Sequence, residues 1–181
     1  MLDFDTFTAV NEDQSSPDVL LTLSKLQGRQ RRVEATIHLP HPIEQVWQAL
    51  TDYEKLAEFI PNLSVSRRIP HPEDGIRLEQ VGVQNLKVVT FSARVVLDMT
   101  EEYLSAIRFK MVEGDFKAFS GEWLLQSMPE AEAGGTRLTY CLEVWPKATI
   151  PVIAIEQRLR KDLPANLKAI LQHLDSQRVV L

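Results

Sequence analysis

Few residues of this 181-residue chain have the type and spacing to carry chemistry. His38, His41, His71 and His173 are scattered, and His38 and His41 fit a strand end and a proline-rich turn better than metal-ligand spacing. Cys141 is the only cysteine, which excludes an intrachain disulfide and a cysteine-based zinc site and fits a reducing compartment. No glycine-rich phosphate loop, G-x-S-x-G elbow or H-E-x-x-H stretch occurs. The expectation is therefore no metal, no cofactor and no catalytic residue.

The acidic and aromatic residues allow more, but each has a plainer reading. Asp52, Glu54 and Glu58 suit the early turns of a short helix, where negative charge meets the positive end of the helix dipole. Asp115 and Glu122 lie near an aromatic strand, where an apolar pocket could raise a carboxylate pKa and make an acid. Strand alternation puts them on opposite faces, which argues against a catalytic pair. Arg94 alternates out of phase with Phe91, Val95 and Leu97 and should face solvent, whereas Tyr140 shares a face with Leu138 and Leu142.

The elements that must position these groups are organised around residues 151–178. Val152, Ile155, Leu159, Leu163, Leu167, Ile170, Leu171 and Leu174 recur there at helical spacing along one stripe. The intervening Arg158, Asp162, Asn166 and Lys168 read as a solvated back, so the stripe needs a hydrophobic surface to cover. Pro164 lacks a backbone donor and crowds the carbonyl of Arg160, which predicts two helical pieces. Pro151 suits a first turn, with Thr149 as a candidate cap.

Upstream, residues 1–18 lack periodicity and read as a flexible arm, with one domain over 19–178 and a short tail at 179–181. Leu21 and Leu23, then Gly28, then Val33, Ala35, Ile37 and Leu39 predict a hairpin. Two short helices follow, one on Ile43, Val46, Trp47 and Leu50, and one on Leu56, Phe59 and Ile60, capped by Asp52 and stopped by Pro61. The period then changes to two, predicting antiparallel strands at 63–69, 76–86, 88–99, 103–112, 116–127 and 136–145. Turn signals at Asp74-Gly75, Glu113-Gly114 and Gly134-Gly135 leave no room for parallel crossovers. A change of apolar face near Gln80, with Gly82 beside it, predicts a bulge. On the strand from 103, Ser105, Ile107, Phe109 and Met111 share the inward face; on the strand from 116, the Trp123 side is taken as inward.

Composition sets the outer bounds. Hydrophobic residues at 44% and charged residues at 25% are those of a folded globular chain. A net charge of -5 with no basic run opposes nucleic-acid binding. No stretch approaches the roughly 20 apolar residues of a spanning helix, and no basic leader is present, so the expectation is a soluble, cytoplasmic protein. Transient contact with the cytosolic face of a membrane stays open: Ile150, Val152 and Ile153, followed by Arg158, Arg160 and Lys161, suit a docking patch or gate. The same residues also suit ordinary helix core with a solvated face.

Four stretches carry a family resemblance: VWQALTDYEKLAEFIPNL at 46–63, GDFKAFSGEW at 114–123, GGTRLTY at 134–140 and LPANLKAI at 163–170. Together they resemble the coenzyme-Q-binding START-type branch of the polyketide cyclase/dehydrase and lipid-transport (SRPBCC-like) superfamily, over about residues 30–178. The resemblance implies an α+β helix-grip fold, in which a curved antiparallel sheet wraps around the long C-terminal helix and two short helices follow an early strand. It also implies an elongated apolar cavity for a lipid, quinone or polyketide-like molecule. Inward-facing Phe91, Phe109, Phe119, Trp123 and Tyr140, with Phe59 from the short helices, are the candidate ligand-binding residues on one side. Ile155, Leu159 and Leu163 are the candidates from the last helix. Small residues such as Ala93 and Gly121 leave space among them, although the same aromatics would also fill a dry core. The implied function is binding, transport or chaperoning of a hydrophobic molecule. A cyclase, dehydratase or aromatase-like enzyme and a ligand-free protein-interaction module are the alternatives.

Overall fold

Alternation decides the second strand most simply, because Val33, Ala35, Ile37 and Leu39 fall on one face of β2 (Arg31–Leu39) and all are buried. The computed structural model describes residues 18–85, 90–129 and 135–178, and all side chains among them except those at 84, 85, 90 and 91. The expectations for an arm before residue 18, for the start of the strand at 88–89, for Gly134 and for the tail lie outside the described residues.

β1 (Leu20–Lys25) pairs with β2, and β2 pairs with β8 (Gly135–Trp145). β3 (Leu63–Ile69), β4 (Ile76–Asn85), β5 (Thr90–Glu102), β6 (Ala106–Gly114) and β7 (Ala118–Met128) pair with their sequence neighbours up to β8. The result is one curved antiparallel sheet of eight strands in the order β1-β2-β8-β7-β6-β5-β4-β3. α1 (Ile43–Thr51) and α2 (Leu56–Phe59), joined by a 3-10 turn at Tyr53–Lys55, carry the chain from β2 to β3 at the far edge. This is the helix-grip arrangement, with the core between the sheet and the last helix.

Four local expectations are corrected. α3 (Val152–Arg178) is one helix with Pro164 inside it, not two pieces. Leu163, Leu167, Ile170 and Leu174 on its inner face are at most 3% exposed. Burying each is worth roughly 1.5–3 kcal/mol, together more than the ~3 kcal/mol cost of an interior proline. Asp52 makes no side-chain cap; its carboxylate instead takes Lys55 at 2.7 Å. The bulge lies in β3, not β4: Ser64 is the extra residue where Leu63 and Val65 face Gly82 and Val81, while β4 stays in register with β5 throughout. Ser105 is in a turn, not on the β6 face, because Leu104 takes φ 58° and the Ser105 N–H closes onto the Glu102 carbonyl at 2.9 Å. Pro61 does act as expected, holding Ile60 extended at φ -75°, ψ 119°.

Candidate ligand cavity between the sheet and the last helix

The side chains that alternation sends inward do not close on one another. They leave a cavity of about 240 Å³, partly open to solvent and lined mostly by apolar groups. That is just below the ~300–1,000 Å³ typical of small-molecule pockets.

The sheet supplies an aromatic wall. Trp123 on β7 and Tyr140 on β8 are register partners and stack face to face, with ring centroids 3.9 Å apart and planes 8° from parallel. Phe109 on β6 tilts against Phe119 at 5.8 Å and Tyr140 at 6.1 Å, and Phe116, from the turn before β7, stacks on Phe119 at 5.3 Å. Gly121 sits opposite Phe109 in the ladder, and its missing side chain is what lets the Phe109 ring lie there.

Of the residues singled out from sequence, Phe109, Phe119, Trp123, Tyr140, Ile155, Leu159 and Leu163 all line the cavity. Phe59 does not; it packs against the core and stacks on His173, near the C-terminal end of α3, at 4.0 Å. Phe91 is in β5, but its side chain lies outside the described residues. Ile150, Val152 and Ile153 are not part of the lining: Ile150 packs on the core and Ile153 is 68% exposed. Arg29 holds the segment before α3, donating to the carbonyls of Lys147 and Ile150, and Arg31 Nε meets Glu156 Oε1 at 2.5 Å in its first turns.

Sequence reasoning missed the polar part of the site. Arg158, Asp162 and Asn166 line the cavity and are not a solvated back. Together with Ile155, Leu159 and Leu163 they form a helical face at spacings of three and four, so the cavity side of α3 is half polar. The Arg158 Nε donates to Asp162 Oδ2 at 3.0 Å. Asp162 Oδ1 and Asn166 Oδ1 are buried with no donor among the described residues, which costs roughly 1–3 kcal/mol apiece. The signal was the i, i+4, i+8 repeat itself, which becomes informative only once the direction of the stripe is known.

Two other polar side chains of the lining, Tyr53 and Gln80, are engaged. The Tyr53 hydroxyl donates to Glu101 at 2.5 Å, and burial together with that carboxylate holds its pKa far above the ordinary phenol value. Gln80 Nε2 donates to Ser66 Oγ at 3.2 Å, and Ser66 donates to the Tyr53 carbonyl at 2.6 Å. Burial also raises the Tyr140 phenol. Asp115 and Glu122 lie away from the cavity, accepting from the Arg94 backbone N–H at 2.6 Å and from Arg108 at 3.0 Å. Arg94 points outward and pairs with Glu79 and Glu113.

The histidines have structural work. His41 is fully buried, its Nε2 2.8 Å from Asp175 Oδ1, and ties the end of α3 to the start of α1. His71 Nδ1 accepts the N–H groups of Glu73 and Gly75. Among the described residues no group of three or more His, Cys, Asp or Glu could hold a metal ion, and no helix is long and apolar enough to cross a membrane.

A curved sheet gripping one helix around a partly open apolar cavity defines the helix-grip class of fold. The chain belongs to the polyketide cyclase / dehydrase and lipid transport family, whose model matches residues 39–171. Solved structures share the fold at low identity. A STAR-related lipid transfer protein from Xanthomonas axonopodis is 17% identical with a TM-score of 0.67, covering 93% of this chain and 98% of that one. The Zhui aromatase/cyclase from Streptomyces sp. R1128 is 18% identical with a TM-score of 0.66, covering 83% and 96%. TTHA0849 from Thermus thermophilus is 23% identical with a TM-score of 0.62, covering 82% and 97%. No curated protein sequence matches the chain significantly.

Proposed function

We propose that this protein binds a hydrophobic small molecule, an isoprenoid, quinone or other lipid, and carries or chaperones it without changing it. The observation that carries the reading is the cavity between the aromatic wall of β6–β8 and the face of α3. Burying a few hundred square ångströms of apolar ligand there supplies several kcal/mol at ~25 cal/mol per Å², before ordering costs. Phe109, Phe119, Trp123, Tyr140, Ile155, Leu159 and Leu163 are the contact residues in this reading. Ile150, Val152 and Ile153 are the gate or membrane-docking edge, with ligand entering from the cytosolic face of a bilayer.

The test is native mass spectrometry and lipid extraction of protein purified from its own host. A reproducible co-purified lipid is expected, as is a thermal shift with added quinones or prenyl lipids; a ligand at 100 times its Kd stabilises by about 2.7 kcal/mol. Failure to retain any hydrophobic molecule, together with no thermal shift, rejects the proposal.

The aromatase/cyclase reading draws on one observation, the polar row of Arg158, Asp162 and Asn166 beside the aromatic wall, which could orient a reactive chain. Burial raises the Tyr140 phenol, so in this reading Tyr140 would be a weak proton donor at neutral pH. Incubation with the bound compound separates the two: a chemically altered product, lost in Tyr140→Phe with binding intact, establishes the enzyme.

A further inference from the structure

The cavity face of α3 is not a neutral apolar wall. Arg158, Asp162 and Asn166 follow one another at one-turn intervals along it. The first two satisfy each other's charge through the Nε–Oδ2 contact at 3.0 Å, and the Arg158 guanidinium lies beside Gly82 of β4, its Nη2 3.9 Å from where a side chain there would begin. Two acceptor atoms remain, Asp162 Oδ1 and Asn166 Oδ1, both buried and both without a donor among the described residues. They sit on successive turns, roughly 6 Å apart at their Cβ atoms, within reach of one polar group. The hydroxyl of Tyr53 and the amide of Gln80, elsewhere in the lining, already have partners.

From this we infer that the ligand ends in a neutral hydrogen-bond donor, a hydroxyl or phenol, that gives its one proton to Asp162 Oδ1 or Asn166 Oδ1, with its apolar body against Trp123 and Tyr140. A ketone or quinone oxygen only accepts, so it leaves both acceptors bare. A ligand ammonium is disfavoured because the Arg158 charge already balances Asp162. The site therefore prefers a prenyl alcohol or a hydroquinone to the matching ether or quinone. This specificity rests on the carrier reading above and adds the chemistry of the ligand's polar end.

The experiment compares farnesol with farnesyl methyl ether, which keeps the chain and the oxygen but loses the donor. Binding to the full chain is followed by tryptophan fluorescence, since Trp123 lines the cavity. Farnesol is expected to bind about tenfold more tightly than the ether, the scale of one hydrogen bond. Replacing both acceptors in an Asp162→Leu/Asn166→Leu variant should bring the ratio to within about twofold. Equal binding of both probes to the unmodified protein overturns the inference and leaves the carrier reading standing. A preference undiminished in a folded Asp162→Leu/Asn166→Leu variant also overturns it. Binding of neither probe, with no co-purified lipid, sinks both.

Discussion

Phe109 owes its place to Gly121, its partner across β6 and β7: a Cβ at Gly121 would lie 2.7 Å from the Phe109 ring and 2.2 Å from the Cys141 carbonyl oxygen. The ring could turn away, but the carbonyl belongs to the β7–β8 ladder and cannot. Gly121→Ala should therefore destabilise the protein by about 2 kcal/mol or more, and Phe109→Leu in the same chain should restore little of it. Urea unfolding midpoints decide this. A Gly121→Ala protein as stable as the parent would show that the ladder yields where we say it does not.

Pro164 sits in a helix that continues regardless, held by the buried stripe from Leu163 to Leu174. Replacing it with alanine restores a backbone donor and removes the clash with the preceding turn. Pro164→Ala is expected to stabilise by roughly 1–3 kcal/mol, below the full ~3 kcal/mol propensity difference because the surroundings have packed around the proline. Destabilisation would mean that the cavity depends on the local geometry the proline imposes.

Ile153 is 68% exposed at the start of α3, next to the segment that Arg29 holds. An exposed side chain with no buried contact costs little to change, within about 0.5 kcal/mol. Ile153→Asp should leave the thermal unfolding temperature almost unchanged while weakening liposome association and slowing lipid transfer between vesicles. Transfer at the parental rate removes Ile153 from any docking edge.

Cys141 tests the electrostatics of the sheet. Burial first, and then the Glu34 carboxylate, push its thiol up from 9.0 to about 11. The thiolate fraction at pH 8 is then ~100-fold smaller than for an ordinary thiol, and iodoacetamide should alkylate the native protein at least that much more slowly than the urea-unfolded chain. Because the folded pKa is raised, this group's contribution to stability is intact below pH 9 and declines as pH climbs toward 11. Rapid native alkylation at pH 8 would contradict the burial.

The fold was legible for a definite reason. Strand and helix periods are written into local order, so Val33, Ala35, Ile37 and Leu39 announce a buried strand face, and the stripe from Ile155 to Leu174 a covered helix. Short turn signals forced antiparallel pairing, and four stretches pointed to the family. Seven of the nine candidate ligand contacts line the cavity: Phe109, Phe119, Trp123 and Tyr140 because alternation assigns them to the inner face of the sheet, and Ile155, Leu159 and Leu163 because helical spacing puts them on the stripe that faces it.

Tertiary structure decided the remainder. Periodicity says which residues share a face but not how wide the covered face is, so Arg158, Asp162 and Asn166 read as solvent-facing until the sheet is seen to curve over them. Phe59 was equally ambiguous, since a short helix can offer its ring to a cavity or to a neighbouring helix, and His173 settled it. The chain's order alone determined a sheet that grips a helix. Whether their side chains meet or leave room, and which polar atoms look into that room, depends on curvature and register summed over eight strands, a quantity no local stretch contains.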